Sequence, residues 1–297
     1  MRIKGINGEK CIKCEECVKD CPAGLFISPP TPAGEKKKIL YEDPDDRCIR
    51  CGHCLSICPV DAIIYEGVEE TLEFEEAKNP SSLLSYDNLM KVLRSRRSIR
   101  RYKKDPVPKE DIKKVLNAIR YAPSTRNAQL WRFLVITNPE EIEIIRNAVI
   151  KMMKLLESIT KKAKIIKYFV PKRIRDIIED PATLAGLNKF FEHVDKGEDP
   201  VFYGAPVVII TYTPEYGDMS GNDVGIALTY GMLAAQSLGL GSCWIGYTQE
   251  ALSRSKKIRK HFKISKRMNV KGVLILGIPS VKYYRVPPRE KLKVRWI

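Results

Sequence analysis

From residue 86 onward the apolar positions follow two alternating rhythms. In VPKEDIKKVLNAIRYA, Ile112, Val115, Leu116 and Ile119 recur at i, i+3, i+4 and i+7, the spacing of one face of an α-helix. DNLMKVLRSRRS predicts a second helix with Asp87 as its N-cap. Between the helical stretches stand short apolar runs, RFLVITN, APVVIITY, CWIGY and VKGVLILGIPS. Each reads as a strand. NDVGIALTYGMLAAQSLGLG is helical, and its Gly and Ala residues let another helix approach closely. Residues 140–179 predict a long Lys-rich helical stretch, interrupted near Pro171. Alternation of this kind predicts an α/β or α+β sandwich.

The first 66 residues have another pattern, set by cysteine. CIKCEECVKDCP at 11–22 and CIRCGHCLSICP at 48–59 both read C-x2-C-x2-C-x3-C-P. Eight of the nine cysteines lie in residues 11–58. The N-terminus has no apolar stretch of the kind an export signal needs, so the protein is expected in the cytoplasm with metal-bound thiolates, not disulfides. Four thiolates at this spacing match the bacterial ferredoxin run, in which the fourth cysteine serves the other cluster. One [4Fe–4S] cluster is therefore expected on Cys11, Cys14, Cys17 and Cys58. The other is expected on Cys48, Cys51, Cys54 and Cys21. Zinc is the competing reading, but it usually takes C-x2–4-C pairs separated by a longer loop, with four ligands in all. His53 is expected to be a loop residue and not a ligand.

At 297 residues, 44% hydrophobic and 30% charged, the chain has the composition of a folded protein of about two domains. Its net charge of +16 is uneven. Residues 1–80 carry 16 acidic and 11 basic side chains, residues 81–297 carry 20 and 41. The expected division is a cluster domain at 1–66, an acidic linker at 67–85, and a basic domain at 86–297 with an insertion at about 150–200. A basic surface can attract nucleic acid, anionic membrane or phosphate-bearing small molecules. No apolar run reaches the ~18 residues of a membrane span, and no nucleic-acid-binding motif is present.

Four segments of the basic part carry candidate chemistry. RSRRSIRRY places Arg96, Arg97, Ser98 and Arg100 after a helix, where guanidinium groups suit phosphate. YAPSTRNAQLWRF offers Ser124, Asn127 and Gln129, polar groups suited to the edge of a heterocycle. GLGSCWIGY is tight backbone entering a strand, and IPSVKYYRVPPRE puts Lys282, Arg285 and Arg289 in a proline-held tail. Cys243 is expected as a buried core thiol, its tight Gly-rich context giving no electropositive, exposed setting for reactivity.

In their order, these elements resemble the nitroreductase family of flavoproteins. The resemblance covers residues ~86–297 and includes A-P-V-V-I and a D-x-x-x-A helix with Asp223 and Ala227. Leu130 departs from the pattern, standing where the family commonly has Pro before Trp. The resemblance implies an α+β fold and an intertwined homodimer with FMN at the subunit interface. It implies that Arg96, Ser98 and Arg100, with Arg97 beside them, hold the phosphate and ribityl chain. Ser124, Asn127 and Gln129 would approach the flavin from the other subunit. Trp244, Ile245, Gly246 and Tyr247 would run along the isoalloxazine, and Arg289 with Arg285 or Lys282 would close the phosphate end. The chemistry would then be the cofactor's, and no side-chain catalyst is expected.

Together these readings describe an oxidoreductase. Two clusters would feed FMN, which reduces a small organic acceptor such as a nitroaromatic or quinone by hydride transfer. The donor would be an external ferredoxin or NAD(P)H. The alternatives are an electron relay or redox sensor without small-molecule turnover, and a redox sensor that grips nucleic acid. The leading reading has neither nucleic acid nor membrane as a partner.

Overall fold

The computed structural model describes residues 1–30, 32, 37–68 and 72–297. The chain divides into two compact units. The first comprises residues 1–85 together with 124–129, the second residues 86–123 and 130–297.

The first unit is a repeat. Strand β1 (Arg2–Ile6) leads into the first cysteine turn and helix α1 (Glu16–Asp20). Strands β2 (Phe26–Ile27) and β3 (Leu40–Tyr41) follow, then the second turn, helix α2 (His53–Ile57) and strand β4 (Ile63–Glu66). β1 pairs antiparallel with β4, and β2 with β3. The two turns share their dihedral angles. Glu15 and Gly52 begin α1 and α2 in the left-handed region, at φ 64° and 81°. Cys21 and Cys58 end them at φ −74°, ψ 111° and φ −75°, ψ 112°. His53 is thus the first residue of a helix, not a loop residue. The apolar core of this unit is small, with Ile3, Phe26, Ile39, Cys54 and Ile63 at its centre.

The second unit is a four-stranded antiparallel sheet covered on both faces, in the order β5 (Arg132–Ile136), β6 (Val207–Pro214), β8 (Met268–Gly277), β7 (Gly241–Trp244). Alternation along the strands feeds two cores. Val207, Ile209, Leu274 and Leu276 face one way, Val208, Ile210, Val273 and Ile275 the other. The first core lies under α4 (Lys109–Arg120) and α9 (Met219–Ser237). Here a Cβ at Gly231 would come within 2.7 Å of Ile119, so the glycine lets these two helices meet closely. The second core takes Ile145 and Val149 of α5 (Pro139–Lys161), Phe190 of α8 (Pro181–Asp195) and Leu252 of α10 (Gly246–Arg254). α3 (Tyr86–Ser95), α6 (Ala163–Ile166), α7 (Lys172–Glu179) and α11 (Lys256–His261) complete the unit.

Two local expectations need correction. α3 starts at Tyr86, so Asp87 lies in its first turn and is not its cap. CWIGY is a strand only to Trp244, because Gly246 and Tyr247 open α10. Among the described residues no helix is long and apolar enough to cross a membrane.

Candidate functional site

The cysteines fall into two sets of four. Cys21, Cys48, Cys51 and Cys54 line one cavity, and Cys11, Cys14, Cys17 and Cys58 line another. The spacing groups the eight cysteines in the same two sets of four. Burial and then repulsion from Cys11 raise the Cys17 thiol, with Cys14 and Cys58 adding to the effect. Burial followed by repulsion from Cys51 pushes Cys54 up to about 12, with Cys48 and Cys21 contributing. Thiolates crowded this way need a cationic centre among them. Each repeat also aims a backbone N–H at its last sulfur: Leu25 donates to Cys21 Sγ at 3.4 Å, Ala62 to Cys58 Sγ at 3.2 Å. Such bonds are among the levers that set a cluster's potential. Among the described residues no three His, Cys, Asp or Glu side chains close on a single-ion point. The donor set of each cavity, four soft thiols, fits a four-iron cluster. His53 lines the cavity of Cys21, Cys48, Cys51 and Cys54, with its Nδ1 3.2 Å from Asp20 Oδ2.

In the second unit, backbone pairing joins motifs that are far apart in sequence. Ser98 pairs in parallel with Ser242, and the Ile99 N–H donates to the Ser242 carbonyl at 2.9 Å. This lays R-x-S-x-R against G-L-G-S. Two glycines permit the approach. Gly239 at φ +74° ends α9 with paired bonds, Gly239 N–H to Gln236 and Leu240 N–H to Ala235, a Schellman turn. At Gly241 a Cβ would meet Ile99 at 2.9 Å. The start of the tail closes the other side, where the Lys103 N–H donates to the Ile278 carbonyl at 2.8 Å and the Ser280 N–H to Arg101 at 3.0 Å. The result is a cleft of about 280 Å³, lined by Arg96, Arg97, Gln236, the 239–242 backbone and Tyr283.

The cations around it differ in what they hold. The Arg97 guanidinium donates to the carbonyls of Arg94, Arg96 and Arg285, at 2.6, 2.7 and 2.9 Å, and lies 5.7 Å over the Tyr283 ring. It fastens the tail. Arg100 lies 5.9 Å over the Tyr203 ring. Cys243 is 1% exposed, and burial raises its thiol against the opposing pull of Arg100, Ser98 and Arg96. Burial is the larger effect, and Cys243 is a buried core thiol, as the sequence predicts. The side chains of Lys282, Arg285 and Arg289 are exposed.

Three of the four residues expected along a flavin send their side chains into the protein. Trp244 packs beneath α9 and Ile245 is buried on the opposite face of the sheet. The Tyr247 hydroxyl donates to the Pro200 carbonyl at 2.7 Å, and burial raises its pKa. What this stretch can present to a ligand is backbone. Ser124, Asn127 and Gln129 belong to the first unit. The Gln129 N–H donates to Ser124 Oγ and its side-chain amide to Asn127 Oδ1, both at 3.0 Å.

Gln236 and Tyr283 line the cleft without having been singled out in the sequence. The Gln236 amide donates to Ser95 Oγ at 2.7 Å and to the Val92 carbonyl at 3.1 Å, holding the end of α3. The available signal was its place three residues before the helix-ending Gly239.

Comparison with known proteins bears on both units. Residues 93–278, more than half the chain, match the nitroreductase family, and residues 10–63 match the 4Fe-4S dicluster domain. A putative NADH dehydrogenase/NAD(P)H nitroreductase of Archaeoglobus fulgidus is 28% identical over 197 residues, 65% of this chain and 87% of that protein. The iodotyrosine deiodinase of Thermotoga neapolitana is 25% identical over 211 residues, 70% of this chain and 97% of that protein. Among solved structures, a nitroreductase with bound FMN from Desulfitobacterium hafniense shares the fold. Its TM-score is 0.53 at 24% identity, covering 69% of this chain and 96% of that one.

Proposed function

The chain belongs to the nitroreductase family, and on that premise we propose that it is an FMN-dependent reductase whose flavin is charged by two built-in [4Fe–4S] clusters. Bound FMN would supply one-electron uptake from the clusters and hydride delivery to a small organic acceptor such as a nitroaromatic or a quinone. The observation that carries this reading is the pairing of Ser98 with Ser242, which gathers a basic segment, a glycine-rich turn and the tail around one cleft.

Arg96, Ser98 and Arg100 are the residues we assign to the phosphate and ribityl chain. Arg97 acts one step back, because its fork is engaged by three backbone carbonyls. Lys282, Arg285 and Arg289 are exposed, which leaves them able to close on the phosphate end. The backbone of 244–247 would border the ring. Ser124, Asn127 and Gln129 would reach the flavin of a second copy. That copy has a face to cover: Leu89, Val92 and Leu93 of α3 and Ile226 and Tyr230 of α9 are exposed apolar side chains. The helices of the 150–200 region would set acceptor choice, and deleting them without altering the acceptor profile would remove that role. The electron donor would be NAD(P)H or a reduced ferredoxin.

The test is anaerobic purification followed by assay of iron, sulfide and FMN per chain. Eight irons and one FMN are expected, with turnover of a model quinone. Clusters and flavin without quinone turnover would favour an electron relay, and a chain that takes up no FMN would end the proposal.

A further inference from the structure

The two cysteine turns have the same backbone but different supports. Lys13 and Arg50 occupy matching places, each just before the second cysteine of its motif, at φ 61° and 58°. In the second turn the Arg50 carbonyl accepts a hydrogen bond from the Asn127 side-chain amide at 2.5 Å. On the other side of that turn the Asp43 carboxylate accepts from the Arg47 N–H at 2.7 Å and the Cys48 N–H at 3.2 Å. The turn is therefore held from both directions.

The segment that supplies Asn127 is unusual. Residues 124–129 count with the first unit, yet they are continuous at both ends with Pro123 and Leu130 of the second. Arg126, Asn127 and Gln129 adopt φ of 52°, 47° and 47°. Side-chain-bearing residues rarely take up this region and hold it only where their surroundings over-determine it. Gln129 provides that constraint, with one bond to Ser124 and one to Asn127 Oδ1. With Asn127 Oδ1 accepting from Gln129, the amide nitrogen is oriented to donate to Arg50.

We infer that Asn127 is a positioning residue for the second cluster, the one assigned to Cys21, Cys48, Cys51 and Cys54. Its amide fixes the Arg50 carbonyl, and with it the left-handed turn that leads into Cys51. The inference rests on the cluster reading and not on the FMN reading.

The test uses anaerobically prepared holoprotein carrying Asn127→Ala, with Lys13→Ala as the matched control in the first turn. The EPR signals of the two dithionite-reduced clusters are assigned beforehand with Cys14→Ser and Cys51→Ser. Asn127→Ala should keep the iron content and shift only the second cluster's signal. Lys13→Ala should leave the second cluster's signal unchanged. Should Asn127→Ala fold poorly, the near-isosteric Asn127→Asp, which cannot donate to Arg50, is expected to behave in the same way. An unchanged second signal overturns the positioning role. An equal shift of the second signal by Lys13→Ala overturns it as well. Absence of flavin from the wild-type protein would count against the FMN reading alone, while the EPR signals would still decide the role of Asn127.

Discussion

The cysteine cages are built from two short stretches, 11–21 and 48–58, each of which carries its own turn. The basic cleft is assembled from segments that run from Arg96 to Tyr283. In the cages, local dihedral angles do the placing, and the second copy repeats the first to within about a degree at the closing cysteine. In the cleft, sheet pairing does the placing, and no single segment is sufficient. Damage should therefore stay local in the cages and spread in the cleft.

The largest effect is expected from Cys54→Ala. Cys54 is both a proposed ligand and part of the small core formed with Ile3, Phe26, Ile39 and Ile63. Cluster binding and folding are coupled in such a unit. Iron should fall by about half, with the FMN content retained. Loss of FMN along with the iron would break the contrast between the two sites.

Arg100→Ala and Arg96→Ala come next. Each removes a guanidinium that we assign to the phosphate and ribityl chain; Arg96 lines the cleft, and Arg100 lies over the Tyr203 ring. A charge-assisted hydrogen bond is worth about 1.5–3 kcal/mol, so FMN affinity should weaken about 10- to 100-fold in each variant. Fluorescence titration of the flavin-free protein would measure this, with iron unchanged. Arg97→Ala should instead loosen the tail, seen as faster proteolysis after Tyr283.

Gly241→Ala probes the pairing itself. Its new methyl would meet Ile99 at 2.9 Å, whereas one at Gly186 in α8 meets nothing within 4 Å. Overpacking costs about 1–3 kcal/mol, so Gly241→Ala should lower the urea midpoint and the FMN content together, and Gly186→Ala should do neither. Equal behaviour of the two variants would remove the tight approach as the basis of the cleft.

The same contrast explains what could be read from the sequence. Cysteine spacing was sufficient to sort the eight cysteines into two sets of four, because each turn presents three of them to one cavity and its last to the other. β5, β6 and β8 were legible as apolar runs, because buried strands need apolar side chains on both faces. The roles of individual arginines were not legible. One of Arg97's three acceptors is the carbonyl of Arg285, far along the chain, and no local pattern encodes it. Gln236 reads as a helix surface residue until the fold brings it to Ser95. Asn127 was picked out for its amide, but its partner, Arg50, lies 77 residues earlier in the chain.

The smallest effect tests the symmetry of the repeat. Before the first turn, Asn7 Oδ1 accepts from the Glu9 and Lys10 N–H groups, at 3.0 and 3.2 Å. Before the second, Asp43 does the equivalent work for Arg47 and Cys48, and also accepts from the Tyr41 hydroxyl at 3.2 Å. Asp43→Asn therefore gives the second turn a side chain of the kind that serves the first. One carboxylate oxygen becomes a donor, so at most one of the two backbone N–H groups keeps a well-placed acceptor. A net hydrogen bond is worth about 0.5–1.5 kcal/mol, and the loss should appear as faster amide exchange at Arg47 or Cys48, with iron and FMN contents unchanged. Because the change is confined to one turn, exchange across the first turn should stay as it was. Faster exchange in both turns would mean that the repeats are coupled and do not close independently.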